Sequence, residues 1–141
     1  MQTRSCVAVV VLVSTAFCLG SSTNGQEGAE AGEAIQLTKL LGQRRDVLLQ
    51  LVEALEHKFS QGLCQVDSVV AAREQFLDAE LQLATGKTER LEILQKKVDN
   101  MRELEDFMKI RHQDGRTTLE NVLSATAARL QAEIDLVREK Q

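Results

Sequence analysis

Two stretches of this chain share one pattern and decide the fold that we predict for it. They are KFSQGLCQVDSVVAAREQFLDAELQL, residues 58–83, and RHQDGRTTLENVLSATAARLQAEIDL, residues 111–136. A shift of 53 positions places Gly62 on Gly115. From each glycine to the end of its stretch, six further residues are identical in the two copies. Two copies of a helix, a glycine turn and a second helix explain this likeness most simply. We therefore predict two repeats, at about 36–88 and 89–141.

The segment from Ile35 to the end has the spacing of amphipathic helices. Its apolar residues recur at intervals of three, four and seven positions, which places one apolar stripe along each helix. Lys, Arg, Glu and Gln fill the other faces, and all four favour helices. The chain has no Pro, no Trp and no Tyr, which argues against a β-rich fold. The predicted fold class is all-α, with antiparallel helical hairpins in a coiled-coil-like bundle over residues 35–141.

Glycine marks the predicted helix ends. Gly62 and Gly115 each suit the left-handed position just after a helix. After the second of them, Thr117 and Glu120 have the three-residue spacing of a capping box. A third and weaker break, at residues 85–88, leaves two alternatives: one long helix that continues across it, or a turn that produces a four-helix bundle.

The N-terminal segment has the pattern of a secretory signal peptide. Arg4 precedes an apolar run of about fourteen residues, which is shorter than a membrane span and is followed by small residues. We assign residues 1–22 to a signal peptide that is removed, which leaves no transmembrane span in the mature chain. The polar, glycine-rich residues 23–34 are predicted to be a flexible acidic leader. The expected location is the periplasm or outside the cell.

The repeat resembles the helical segment of TolC-type outer membrane efflux proteins, which carry a pattern like R-Y-x-x-G-x-x-(S/T)-x-x-D-V-L-x-A-x-x-x-L-x-A-E in two copies. The second copy matches that pattern best, at Arg111, Gly115, Thr118, Val122, Leu123 and Ala125, and the closing L-x-A-E follows one position later, at Leu130, Ala132 and Glu133. Such proteins export solutes through a trimeric channel. A full-length member has several hundred residues, so the resemblance implies a relative of the helical-hairpin portion only. No pore residue and no channel activity is carried over.

The residues that could carry chemistry do not form a known motif. His57, His112 and Cys64 lack the spacing of zinc ligands. Residues 86–88, Gly-Lys-Thr, lack the earlier glycine and the strand of a phosphate-binding loop. We therefore predict a protein that is not an enzyme and that uses no catalytic residue, metal or cofactor. The formal net charge of −4 argues against nucleic-acid binding.

These observations favour an exported, non-enzymatic helical protein with a structural or interaction role in the cell envelope. The expected partners are further copies of the chain or the helices of an envelope complex. We expect the contact surface on the third helical segment, at Leu91, Leu94, Val98, Met101 and Met108. The alternative function is that of a periplasmic stress protein that binds metal or unfolded chains with a helical hairpin.

Overall fold

The described part of the chain is entirely helical. The computed structural model describes residues 26–141, with side-chain surroundings from residue 32 onward. Its four helices are α1 (Gln26–Ser60), α2 (Val66–Leu83), α3 (Lys87–Gln113) and α4 (Leu119–Lys140). Residues 26–141 contain no strand, so the prediction of an all-α fold is confirmed.

Helix α1 begins earlier than the sequence pattern indicated. It starts at Gln26, so residues 26–34, which we expected to lie in a flexible leader, are helical. The segment contains Gln, Glu and Ala, and these good helix formers offset the cost of its glycines. The signal-peptide assignment for residues 1–22 lies outside the described residues.

The structure decides between the two alternatives at residues 85–88. Helix α2 ends at Leu83, and Ala84 and Gly86 both have extended backbone angles before α3 begins at Lys87. The apolar spacing runs across this point, yet the chain turns there. Residues 26–141 therefore form four helices rather than three.

The two glycine turns have the same geometry at positions 53 apart. Gly62 and Gly115 have φ values of +72° and +68°, the left-handed region that only glycine enters at little cost. In the first turn, the amide of Leu63 donates to the carbonyl of Lys58 at 2.9 Å. In the second, the amide of Arg116 donates to the carbonyl of Arg111 at 2.7 Å. Each glycine amide also donates to the carbonyl three residues earlier, which completes a Schellman motif in both copies.

The start of α4 differs from the predicted capping box. The N-cap residue is Thr118, not Thr117, and its side chain makes no capping hydrogen bond to the helix backbone. The hydroxyl of Thr117 instead accepts a hydrogen bond from Asn121 Nδ2 at 2.9 Å. Glu120 interacts with the Thr118 hydroxyl, which lowers the pKa of that carboxyl. The box fails because α4 begins one residue later than the Thr117–Glu120 spacing requires.

Each helix packs against the next one along the chain, and neighbouring helices run in opposite directions. For α1 and α2, Arg44 Nη1 donates to Gln82 Oε1 at 3.1 Å, whereas Arg73 Nε donates to Glu56 Oε1 at 2.9 Å. The backbones of α1 and α4 nowhere approach within 8 Å within residues 26–141. The bundle is therefore open, and α1 and α4 are its two edge helices.

The core lies between α2, α3 and α4. Seven buried side chains form its central cluster: Val66, Val70, Leu94, Val98, Met101, Ala132 and Leu136. Helix α1 adds little to the interior, because Val52 is its only buried apolar side chain within residues 32–60. Helix α1 also extends past its neighbour: Arg44 pairs with the end of α2, so residues 26–43 lie beyond that end.

Candidate functional site

The outward face of α4 carries a continuous apolar stripe. It consists of five large apolar side chains that are each between 45% and 58% exposed: Leu119, Leu123, Leu130, Ile134 and Val137. At 3.6 residues per turn, they fall within about 60° of one another around the helix. We refer to these five residues as the α4 stripe. Within residues 26–141 this face has no partner helix.

The sequence pattern placed all five of these residues, together with Val122, on the single apolar stripe predicted for this helix. The structure instead buries Ala125, Ala132 and Leu136 on the side of α4 that contacts α3. Small alanine side chains allow the two helices to approach closely, so α3 lies against the alanine side. The larger Leu and Ile residues are left on the outer side, where they cover no described part of the chain.

The other edge helix, α1, has a similar face. Four of its seven exposed large apolar side chains within residues 32–60, Leu37, Leu40, Val47 and Leu51, are between 41% and 64% exposed. They fall within about 80° of one another around the helix. We refer to them as the α1 stripe. Large exposed apolar faces of this kind mark interaction sites in soluble proteins more often than not.

The structure does not support the expected contact surface on α3. Leu94, Val98 and Met101 are buried in the core, with exposed fractions of 4%, 1% and 7%, and Leu91 and Met108 are half-buried. Helix α3 is a central helix with α2 on one side and α4 on the other, so its apolar residues are used inside the molecule. The expectation is corrected: exposed apolar faces lie on the edge helices.

A groove of about 400 Å³ lies where α1, α2 and α3 meet. Leu49, Val52 and Phe76 are among its apolar lining residues, and Asn100 also lines it. Asn100 is 6% exposed, and its Nδ2 donates to the carbonyl oxygen of Val70 at 3.1 Å. Its Oδ1 is buried and has no hydrogen-bond partner among the described residues. The groove thus combines apolar with charged lining residues, and the partly unpaired amide of Asn100 borders it.

A buried carboxylate fastens α3 to α4. Glu105 on α3 is 5% exposed, and Lys109 Nζ and the Thr126 hydroxyl each lie 2.9 Å from its carboxylate. Arg129 on α4 makes an ion pair with the same carboxylate. Hydrogen bonds from Lys109, Thr126 and Arg129 outweigh the opposing effect of burial and lower the pKa of Glu105 to about 2. The carboxylate is therefore charged at neutral pH and serves as a fixed structural anion.

This cluster was not predicted from the sequence, although the position of Glu105 in the helix pattern indicated it. Glu105 follows Leu94, Val98 and Met101 at intervals of four, three and four, so it occupies the core position of the helix pattern. A carboxylate at such a position predicts a cationic partner on the facing helix, because an unpaired buried charge is costly. In the first repeat, the equivalent residue is the apolar Val52.

The titratable residues singled out from the sequence lie apart from one another. His57 contacts Gln61 at 3.0 Å, and His112 contacts the carbonyl oxygen of Thr117 at 3.1 Å. The Cys64 thiol donates to the carbonyl oxygen of Leu55 at 3.3 Å. No group of three His, Cys, Asp or Glu side chains within the described residues is placed to hold a metal ion.

Glu133 lies in the local ion pair that its sequence position predicts. Arg129 Nη1 is 2.9 Å from its carboxylate, and Arg102 from α3 is 2.9 Å from its other oxygen. Hydrogen bonds from both arginines, Arg102 first, lower the pKa of Glu133. This carboxylate therefore helps to hold α3 to α4, as Glu105 does.

Neither membrane-span character nor similarity to known proteins adds to the geometry of residues 26–141. Among the described helices, none combines the length and the apolar character that crossing a bilayer requires. Comparisons with protein-family models, with curated proteins and with solved structures find no match to this chain. The candidate site is therefore defined by the residues themselves.

Proposed function

We propose that this chain is an exported, non-enzymatic helical protein that acts by helix–helix contact in the cell envelope, in a structural or interaction role. The observation that carries the proposal is the pair of exposed apolar faces, the α1 stripe and the α4 stripe. Most of the stability of a helix in a protein comes from packing of its apolar face. Helix α1 has 35 residues and one buried apolar side chain in its described part, so a further partner would complete its packing.

Two features support the origin and the location of the protein. The two Schellman turns at Gly62 and Gly115 are consistent with a duplicated helical hairpin, as the resemblance to the hairpin portion of TolC-type efflux proteins implies. The charged start, short apolar run and small residues within 1–22 support export. Further copies of the chain or the helices of an envelope complex are the proposed partners.

Export and contact can be tested in one experiment. The full chain, with its own N-terminal segment, is produced in a Gram-negative host with the photo-cross-linker benzoylphenylalanine at Leu130. The control carries it at Ile110, which is 59% exposed but lies on α3, outside both stripes. We expect a processed chain in the periplasmic fraction, cleaved between Gly20 and Gly25. We also expect light-dependent adducts from Leu130 and few from Ile110.

Two results would contradict the proposal. One is an unprocessed chain that stays in the cytoplasm, and the other is an equal yield of adducts from the two positions. The alternative function, a periplasmic holdase, also uses exposed apolar surface and is distinguished by its substrate. It predicts that the purified chain suppresses aggregation of reduced insulin, and that Leu130→Glu abolishes this effect. We expect no suppression.

A further inference from the structure

The α4 stripe has a covered counterpart in the first half of the chain. A shift of 53 positions maps Leu123 onto Val70 and Leu130 onto Leu77. Val70 and Leu77 are only 2% and 6% exposed, whereas Leu123 and Leu130 are 58% and 47% exposed. Since α3 follows α2 and covers this face, the difference arises because no helix follows α4 in the described chain.

The exposed α1 stripe likewise corresponds to a buried face, which lies on α3. The shift maps Leu40 onto Ile93 and Val47 onto Asn100, which are 5% and 6% exposed. The Asn100 side chain reaches α2, because its Nδ2 donates to the carbonyl oxygen of Val70 at 3.1 Å. The face that α3 presents to α2 is therefore the face that α1 leaves open.

We propose that α1 of a second copy of this chain packs against α4 in the way that α3 packs against α2. The inference rests on the proposed function and names the partner of the α4 stripe. The two helices run antiparallel, as α2 and α3 do, and Val47 of the second copy lies beside Leu123. That pair takes the place of Asn100 and Val70. The polar contact of the α2–α3 interface therefore becomes an apolar contact between α4 and α1 of the second copy.

The charges along the two faces are compatible with this arrangement. In the α2–α3 interface, Arg73 Nη1 lies 2.7 Å from Glu103 of α3. The equivalent positions in the proposed interface are Thr126 and Gln50, which are both uncharged. Lys97, which forms ion pairs with α2, maps onto Arg44, and this cation meets the neutral Gln131 in place of Asp78. The mapping brings no two like charges together at these positions.

The proposed contact joins two different faces, so each copy uses one face to bind the copy before it and the other to bind the copy after it. Such a heterologous contact builds a closed ring when the rotation per step permits closure, and an open chain otherwise. The alternative, in which two α4 stripes pair about a two-fold axis, uses the same face twice. Cross-linking separates these two geometries.

The test uses single-cysteine variants of the full chain in a Cys64→Ser background. One variant carries Val47→Cys, and the other carries Leu123→Cys together with a C-terminal affinity tag. We expect a short bis-maleimide to join the two variants when they are mixed and to join neither variant to itself. The mixed product requires contact between chains, because each chain holds one cysteine.

A second measurement follows association by sedimentation equilibrium. Leu130→Glu and Val47→Glu each place a charge in the proposed interface, and both residues are exposed in the isolated chain, so the fold survives. We expect each to weaken self-association about tenfold or more, equivalent to about 1.4 kcal/mol. The matched control is Ile110→Glu, which changes an exposed apolar residue outside both stripes and should leave association unchanged.

Three outcomes would overturn the inference. They are a monomer at every concentration, cross-linking of the Leu123→Cys variant to itself without the mixed product, and equal weakening by the control. The first two leave the proposed function intact, because another envelope helix can cover the stripe and the Leu130 adducts still form. Loss of those adducts in the cell contradicts the proposed function itself.

Discussion

Replacing Glu105 with glutamine tests how firmly α3 is attached to α4. The carboxylate is 5% exposed and receives hydrogen bonds from Lys109, Thr126 and Arg129. Glutamine has nearly the same shape, so the change removes the negative charge and one acceptor while it leaves no cavity. It also leaves Arg129 with Glu133 as its remaining ion-pair partner.

The stability that Glu105→Gln should lose follows from the contacts of the Glu105 carboxylate. A hydrogen bond to a charged group contributes about 1.5–3 kcal/mol, and removal of one partner of a buried ion pair costs about 3–5 kcal/mol. The side chain of Lys109 is 49% exposed, so water replaces part of its interaction. We therefore expect Glu105→Gln to lower the free energy of unfolding by about 2–3 kcal/mol, which lowers Tm by roughly 10 °C in a domain of this size.

The cost should depend on pH in a defined direction. The pKa of Glu105 is about 2 in the folded chain, below its ordinary value of 4.5. A lowered pKa stabilises the folded state fully above the ordinary value, and that contribution disappears as pH falls from about 4.5 towards 2. Glutamine does not titrate. The difference in stability between the two chains should therefore be constant above about pH 5 and small near pH 2.

Urea unfolding followed by far-ultraviolet circular dichroism measures this difference at pH 7, pH 4 and pH 2.5. The matched control is Asp106→Asn, which alters the adjacent carboxylate; that side chain is 73% exposed and lies 3.8 Å from Lys109. The control should change stability by less than about 0.5 kcal/mol. Equal stability of Glu105→Gln and the unaltered chain at pH 7 would refute the reasoning, and so would a difference that persists unchanged at pH 2.5.

Three further predictions concern stability and are checked by the same unfolding measurement. Gly115→Ala should cost about 1–2 kcal/mol because its φ is positive, although no atom would meet the added methyl group, whereas Gly86→Ala, at φ −99°, should change stability by less than about 0.5 kcal/mol, because the poorer N-cap offsets the lower entropy of the unfolded chain. Asn100→Leu should change stability by less than about 1 kcal/mol, because it removes a buried acceptor that has no partner. The double variant Glu105→Val with Arg129→Phe copies Val52 and Phe76 of the first repeat and should be more stable than Glu105→Val alone, since the single variant leaves the half-buried Arg129 with Glu133 as its one remaining carboxylate partner.

Local sequence signals predicted the helices and two of the turns correctly. The glycines at 62 and 115 end their helices in the left-handed conformation because other residues enter that region at a cost. The Thr117–Glu120 spacing was a poorer guide, because the helix start shifted by one residue to Leu119. Capping depends on the exact first residue of a helix, and hydrophobic spacing fixes that residue only approximately.

Hydrophobic periodicity could not predict that the α4 stripe is exposed. A stripe of Leu94, Val98 and Met101 on α3 looks like a stripe of Leu123, Leu130 and Ile134 on α4, since both have helical spacing. One is buried and the other is exposed. Periodicity identifies the apolar face of each helix, but it carries no information about which neighbour covers that face.

The sequence by itself determined the helical class and the glycine turns, because each depends on interactions between residues that are near one another in the chain. The tertiary structure alone decided that the chain turns at residues 84–86, that Glu105 meets Arg129, and that the two edge helices keep an open apolar face. Burial is a property of the neighbours of a residue, and in an open bundle the order of the helices makes α1 and α4 the edges.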